Sequence, residues 1–386
     1  MRQLFSLIIF FSLPLLPVHA QLDDSLIQTD AEYAVIMDFD TGNVLYSKDG
    51  DTPMIPASMT KMMTVQVIFN RLASGELKLS DRFLTSENAW RKGGFASGGS
   101  TMGLAIGDEP TVEELLRGII VLSGNDACIV VAEGLSGTEA LFAEEMTAVA
   151  RELGLSSATF KNATGLDEDG HRISAIDLAK LAKIQIEQFP EYYSFYNETA
   201  YEWNGIRQTN RNPLLGKVDG VDGLKTGHLS ASGYGVTISG ERDAKRRIIV
   251  LNGLESQARR AQESDRMFRI AFTAFDTKTV DKTEEPIADL PVWLGVQRTV
   301  PVTMKTAITF SGHKRALQDV KTEIVYDGPL EAPIKAGTEI GRLVFTVPGQ
   351  LPVETPLVTM DSVEKLGFMG RVFEGLNRLM TNTDEG

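Results

Sequence analysis

Ala34-Val35-Ile36-Met37-Asp38-Phe39-Asp40-Thr41-Gly42-Asn43-Val44-Leu45-Tyr46 is the stretch on which the fold turns. Two apolar runs flank Asp40-Thr41-Gly42-Asn43, a tight-turn composition, so the stretch reads as strand, turn, strand. A second hairpin is read far downstream, at Gly235-Val236-Thr237-Ile238 and Arg247-Ile248-Ile249-Val250-Leu251. Between the two, apolar periodicity predicts helices over residues 59–72, 112–122, 127–135, 138–153 and 175–188. Strands at both ends with helices between them predict an α+β domain whose N-terminal hairpin joins the later strands in one antiparallel sheet.

Beyond a helix that ends near Phe275 the texture changes. Residues 276–289 are rich in charge and carry Pro286, which marks a boundary. Short strand-like runs follow, Val300-Pro301-Val302-Thr303-Met304, Glu323-Ile324-Val325-Tyr326 and Arg342-Leu343-Val344-Phe345-Thr346-Val347, punctuated by Asp327-Gly328-Pro329 and Pro348-Gly349. They predict a small all-β sandwich domain over residues 278–360. In the last segment Val363, Leu366, Met369, Val372, Phe373, Leu376, Leu379 and Met380 recur at three- and four-residue spacing, which predicts an amphipathic helix over 361–382, beginning at about Ser362. Lys365, Arg371 and Arg378 give it basic side chains. A helix lying in a membrane interface is expected, in preference to one docked on the protein's own core.

Upstream, Arg2 precedes an apolar run over 4–16, and Val18-His19-Ala20 offers the small residues that a signal peptidase accepts. Residues 1–20 are therefore read as a signal peptide and the first domain as 24–277. The run is shorter than the roughly 20 apolar residues of a bilayer-crossing helix, and Pro14 and Pro17 interrupt its end. The net charge of −14 becomes −15 when Arg2 leaves, and an acidic surface argues against nucleic acid as a partner. The single cysteine, Cys128, leaves an exported chain without an internal disulfide, and its run Cys128-Ile129-Val130-Val131-Ala132 makes it a packing residue.

Three short motifs carry chemistry. Ser58-Met59-Thr60-Lys61 follows Pro56, a residue suited to a helix's first turn, and residues three apart on a helix face the same way, so the Lys61 amine can reach the Ser58 hydroxyl. The helix N-terminus favours an alkoxide and the oxyanion formed when it attacks a carbonyl. A lysine acting as base must be neutral, and burial beside a second lysine, Lys225, is expected to depress its pKa. Ser123-Gly124-Asn125 offers a hydroxyl to relay a proton and an amide to hold Lys61 and a substrate backbone. In Lys225-Thr226-Gly227 the lysine can attract a carboxylate, the threonine can hydrogen-bond it, and the glycine admits backbone close to a strand. The first two motifs have decoys, Ser362-Val363-Glu364-Lys365 and Ser86-Glu87-Asn88, so the signal lies in all three occurring in this order.

Taken together the set resembles the penicillin-binding proteins and serine β-lactamases. The flanks Leu116-Arg117-Gly118-Ile119-Ile120 and Asn125-Asp126-Ala127-Cys128, with Phe160-Lys161-Asn162, Gly165-Leu166-Asp167 and Asp222-Gly223-Leu224-Lys225-Thr226-Gly227-His228, look like the D-alanyl-D-alanine carboxypeptidases of low molecular mass. That resemblance implies a β-lactamase/transpeptidase-like α+β domain, a small all-β domain and an anchor helix. It also implies removal of the terminal D-alanine from peptidoglycan pentapeptide stems, inhibition by β-lactam antibiotics, no cofactor and no metal. The implied place is the periplasmic face of the bacterial inner membrane, reached through the C-terminal helix. By position, Ser58 would be the acyl-ester nucleophile, Lys61 its base, Ser123 the relay and Lys225 the carboxylate-binding residue. Asn125, Thr226 and Gly227 would line the substrate, the backbone N–H groups of Ser58 and His228 would form the oxyanion hole, and Arg260 and Arg211 would lie near the substrate carboxylate.

Other classes fit less well. No Gly-x-Ser-x-Gly elbow exists for a Ser-His-Asp hydrolase, whose histidine would have to be His171, His228 or His313, and no His-Glu-x-x-His exists for a zinc peptidase. Residues 93–107 are glycine-rich but lack the Gly-Lys-Ser/Thr of a phosphate loop, and read instead as a mobile loop near the site, or a plain surface turn. A β-lactamase would need a deacylating glutamate after the second motif, and no Glu-x-x-Leu-Asn follows it. A non-catalytic scaffold would have lost one of Ser58, Lys61 or Lys225.

Overall fold

The computed structural model describes residues 27–372, so the expected signal peptide and the helix expected beyond 372 lie outside the described residues. The described chain forms two compact units. One runs to Thr277 and takes in Ser311–His313, and the other holds Lys278–Phe310 and continues from Lys314.

In the first unit β1 (Tyr33–Asp38) and β2 (Val44–Lys48) form the N-terminal hairpin, and β1 pairs along its other edge with a late strand. The chain between contains α1 (Lys61–Ser74), α2 (Glu87–Gly93), α3 (Val112–Ile120), α4 (Asn125–Ser136), α5 (Glu139–Glu152), α6 (Ala175–Gln188), the single turn α7 (Pro190–Tyr193) and a separate hairpin of β3 (Ala200–Trp203) and β4 (Ile206–Thr209). Then come β5 (Val221–Leu229), β6 (Gly233–Arg242), β7 (Lys245–Leu254) and α8 (Gln257–Thr273). The sheet order is β2-β1-β7-β6-β5, antiparallel throughout.

The continuous apolar runs of β1 and β7 follow from a sheet buried on both faces, where alternate residues point opposite ways. Val35, Met37, Ile248 and Val250 join the helical core, whereas Ala34, Ile36, Ile249 and Leu251 pack with Met267, Phe268 and Ala271 of α8. Asp38 ends the run of β1 as a buried acid. It pairs with buried Arg247 and accepts bonds from Thr41 N at 2.9 Å, Thr41 Oγ1 at 2.6 Å and Thr277 Oγ1 at 2.6 Å.

α1 is the hub of the helical layer, buried at every residue from Lys61 to Phe69. A helix enclosed on all sides has no solvent face for polar groups, so each needs a partner. Thr64 Oγ1 donates to Ala163 O at 2.7 Å and Gln66 Nε2 to Asn70 Oδ1 at 2.9 Å. Lys61 is the charged exception, and its partners define the site described below. α3 starts on a Thr111–Glu114 capping box, which fixes where the chain enters the second motif.

The second unit begins within β8 (Phe275–Val280). β9 (Ala288–Trp293), β10 (Thr299–Met304), β11 (Ile308–His313), β12 (Lys321–Tyr326), β13 (Leu330–Glu331), β14 (Glu339–Thr346) and β15 (Val353–Thr359) follow, with a six-stranded sheet ordered β12-β14-β15-β10-β9-β13. Val300, Val302, Phe310, Leu343, Phe345 and Leu357 build its core. The expected helix from Ser362 is corrected here. Val363 is 2% exposed in this core and bridges Ile334, Lys365 bridges Gly295, and helical geometry starts only at Phe368. Burying Val363 against an existing core outweighs the weak helix propensity of a glycine-containing segment.

Candidate active site

Ser58 lies in a single 3-10 turn, Ala57–Thr60, that follows Pro56 and runs into α1 at Lys61. The α-helix expected from residue 59 therefore starts two residues later. The tighter winding has a use, because side chains three apart eclipse in a 3-10 turn and Ser58 and Lys61 stand over one another. Lys61 Nζ donates to Ser58 Oγ at 2.9 Å, to Asn125 Oδ1 at 2.8 Å and to the Thr164 carbonyl at 2.6 Å. Burial lowers the Lys61 pKa from 10.5 to about 8, and the charge of Arg211 acts in the same direction. The repulsion between Lys61 and Lys225, both buried, is mutual and disfavours charging the two amines together, as expected, and Arg211 adds to it. A neutral amine has two N–H bonds and one lone pair. With Asn125 and Thr164 accepting the two N–H bonds, the lone pair is left facing the Ser58 hydroxyl.

Ser123 sits between α3 and α4 at φ +59°, a left-handed conformation that a non-glycine residue adopts only when its surroundings impose it. Lys225 Nζ on β5 donates to Ser123 Oγ at 2.8 Å and to Thr226 O at 3.1 Å. Lys225 is 3% exposed, and burial, then the charges of Lys61 and Arg211, hold its pKa well below the ordinary lysine value. Asn125, two residues on from Ser123, begins α4 and joins the pair to Lys61.

β5 passes close to the Ser58 turn. A Cβ on Gly227 would lie 2.7 Å from Pro56 O and 3.3 Å from Ser58 N, so the glycine is required by the approach of the serine's own turn. Thr226 is buried beside it. His228 is exposed and stacks on Tyr234, ring centroids 3.8 Å apart. Arg260 reaches in from α8, 4% exposed, with Nη1 3.4 Å from Gly227 O and its guanidinium 5.6 Å over Tyr234; burial lowers its pKa to about 10. Its neighbour Arg259 pairs outside with Asp30. Arg211 donates to Leu122 O, one residue before Ser123.

Residues 19–255 match the family described as D-alanyl-D-alanine carboxypeptidase, and residues 275–365 match the penicillin-binding protein 5 C-terminal domain. The chain belongs to the D-alanyl-D-alanine carboxypeptidase family. It is 36% identical to the D-alanyl-D-alanine carboxypeptidase DacF of Bacillus subtilis (strain 168), covering 88% of this chain and 87% of that one. Among solved structures it is similar to penicillin binding protein 5 from Haemophilus influenzae, with a TM-score of 0.74 and 32% identity over 88% of this chain and 99% of that one. It is also similar to penicillin-binding protein D2 from Listeria monocytogenes in its ampicillin-bound form, with a TM-score of 0.57 and 26% identity over 64% of this chain and 99% of that one. The protein is thus a serine-type peptidase of the penicillin-binding class, with an α+β transpeptidase-like domain followed by a β domain.

Within this carboxypeptidase two groups beside the site were not legible as site residues. Thr164 contributes a main-chain carbonyl, which leaves no side-chain signature. It is placed by Asn162, whose Oδ1 accepts from Thr164 N at 3.2 Å and Gly165 N at 2.8 Å. Gly165, at φ +82°, lies so close to the Ser58 turn that a Cβ would fall 1.9 Å from Ala57 O. Asp126, adjacent to the second motif, is fully buried and accepts from Thr101 Oγ1 at 2.6 Å and from the N–H groups of Met102, Gly103 and Leu104 at 2.8–3.0 Å. The glycine-rich loop expected to be mobile is therefore tied down over Thr101–Leu104. Among the described residues no group of three or more His, Cys, Asp or Glu side chains is placed to hold a metal. Cys128 is buried in α4, and burial pushes its thiol up to about 12, so the thiol stays protonated.

Proposed function

We propose that Ser58 is the acyl-ester nucleophile of a penicillin-sensitive D-Ala-D-Ala carboxypeptidase that removes the terminal D-alanine of peptidoglycan pentapeptide stems. Neutral Lys61 takes the Ser58 proton as Oγ attacks the penultimate D-alanine carbonyl, and the oxyanion is received by the backbone N–H groups of Ser58 and His228. As the C–N bond breaks, Ser123 passes a proton to the leaving amine and is supplied through Lys225 or Lys61. Lys225, Thr226 and Arg260 receive the terminal carboxylate, Arg211 contributes positive field, and Asn125 holds the stem backbone. An arriving carboxylate compensates the buried charge of Lys225, so substrate restores the cation that burial disfavours. Water, deprotonated by Lys61, then cleaves the ester. In a β-lactam the broken C–N bond belongs to a ring, so the leaving group stays tethered and obstructs that water. The observation that carries this reading is the Lys61 amine, held by two fixed acceptors with its third direction on Ser58 Oγ at 2.9 Å. Incubation with a muropeptide ending in D-Ala-D-Ala tests it, since release of one D-alanine should vanish in Ser58→Ala.

The same reading places residues 24–277 as the catalytic domain and 278–360 as the β domain, with the anchor helix moved to start at Phe368. The enzyme would act as an exported protein on the periplasmic face of the inner membrane. Attachment would be peripheral, through the C-terminal helix; no helix among the described residues is long and apolar enough to cross a membrane. Phe368, Met369 and Val372 are 73%, 74% and 44% exposed, which favours insertion of their side chains into lipid. Vesicle co-sedimentation of the full chain, compared with a chain ending at residue 366, tests the anchor.

A further inference from the structure

His171 has no part in the chemistry just described, yet it is 1% exposed and touches both halves of the base's cradle. Its Nε2 is 2.8 Å from Oγ1 of Thr60, the residue immediately before Lys61 and the last of the 3-10 turn. Its Nδ1 accepts from Lys161 N at 3.2 Å, and Lys161 immediately precedes Asn162, which places the Thr164 carbonyl on Lys61. A backbone N–H can only donate, so Nδ1 carries no proton and Nε2 donates to Thr60. The ring is fixed further by Phe160, edge-on with centroids 5.6 Å apart. The charged groups acting on it are Arg172, Lys61 and Lys161, all cations, and with burial they lower its pKa to about 4, so the neutral tautomer with two distinct ends persists through the working range.

We infer that His171 is a positioning residue for the general base: it spans the Ser58–Lys61 turn and the 161–165 loop, and so sets where the Lys61 lone pair points. Asn162 shapes the loop internally and Thr64 Oγ1, further along α1, holds Ala163 O at 2.7 Å, while the side-chain tie from the Ser58 turn itself to the loop runs through His171. The Ser58 turn is only four residues long, and the loop presents its carbonyl to Lys61 through a glycine-flanked bend. A shift of either one separates Lys61 from Ser58 or from Thr164, and a displacement of this size at a catalytic group is costly in rate. The inference rests on the reading of Ser58 and Lys61 given above.

Glutamine can donate from its amide nitrogen to Thr60 while its amide oxygen accepts from Lys161 N, whereas leucine fills the space with neither group and asparagine is too short to span both. The test is a titration of Lys61 by NMR of 13Cε-labelled lysine in the full-length protein, assigned with Lys61→Met, alongside the pH dependence of labelling by a fluorescent penicillin. In wild type the amine should titrate at about 8. His171→Leu lets the loop and turn part, water relieves the burial that is the largest cause of the shift, and the midpoint should rise by at least ~1 unit with labelling at pH 7 at least ~10-fold slower. His171→Gln should keep the wild-type midpoint and label within about 3-fold, while His171→Asn should follow leucine. A Lys61 midpoint unmoved in His171→Leu, with only a lower Tm, would reduce His171 to a packing residue and end the inference. So would a glutamine variant that behaves like leucine, which decides the matter even if leucine prevents folding. Because the titration reads Lys61 directly, it stands apart from whether Ser58 is the labelled residue; penicillin labelling that survives Ser58→Ala would sink the reading of the nucleophile alone.

Discussion

Ser58 and Lys61 lie three residues apart, and so do Ser362 and Lys365, but the two pairs live in different backbones. The first occupies a 3-10 turn entering a buried helix, where residues i and i+3 superpose. The second lies in extended chain, with Val363 bridging Ile334 and Lys365 bridging Gly295, where residues an odd number apart point to opposite sides. Ser362 Oγ accepts from Ala336 N at 3.0 Å, and Lys365 forms a surface ion pair with Glu331 at 3.0 Å. Identical spacing thus yields a base aimed at a hydroxyl in one region and two unrelated surface contacts in the other. Reactivity needs the helical turn to aim the amine and the burial to unload its proton.

The comparison can be broken most decisively at the serines. Ser58→Ala should cut D-alanine release by on the order of 10⁴-fold or more, while Ser362→Ala leaves it unchanged in the same assay. Substituting the lysines sharpens it. Lys61→Arg keeps the charge but cannot give up its proton, so acylation by a fluorescent penicillin should fall by about 10³-fold, whereas Lys365→Arg should label at the wild-type rate.

A pH series separates the two lysines next. Because the neutral form of Lys61 is the active one, kcat/KM should rise with pH through a midpoint of about 8. The same shift enters stability. In the folded state Lys61 loses its proton near 8 and in the unfolded chain near 10.5, so between these values the unfolded chain binds more protons and stability rises with pH. Lys61→Met should remove that slope from urea unfolding curves, and Lys365→Met should not. The smallest effects are expected at glycines. Gly227→Ala forces a methyl against Pro56 O and should cost about 1–3 kcal/mol of stability with a loss of activity, while Gly367→Ala, with nothing within 4 Å, should stay within about 0.5 kcal/mol.

Much of the fold was readable because its devices are local. The hairpin around Asp40-Thr41-Gly42-Asn43 and the helix over Ala175–Gln188 carry their own periodicity and turn chemistry. The start of the C-terminal helix was misread because Val363 and Leu366 also satisfy a helical spacing, and only the bridge to Ile334 and the packing around it reveal that Val363 belongs to a β core. The second decoy separates from its counterpart in the same way. Ser86 is spent capping α2 through Ala89 N, and Asn88 donates to Glu133 at 2.7 Å, while Ser123 and Asn125 meet the two lysines.

The sequence by itself determined which groups are available: a serine three residues before a lysine behind Pro56, a Ser-Gly-Asn, a Lys-Thr-Gly, and the apolar patterns that make a sheet and its helices. Those are properties of neighbours along the chain, and local spacing encodes them. Only the tertiary structure decided that Thr164 offers its carbonyl, that His171 braces two segments, that Arg211 adds to the field on Lys61, and that Gly227 makes room for the Ser58 turn. Each of these depends on distance and burial between residues far apart in the chain, and the depressed lysine pKa exists only once the folded core has excluded water from around its amine.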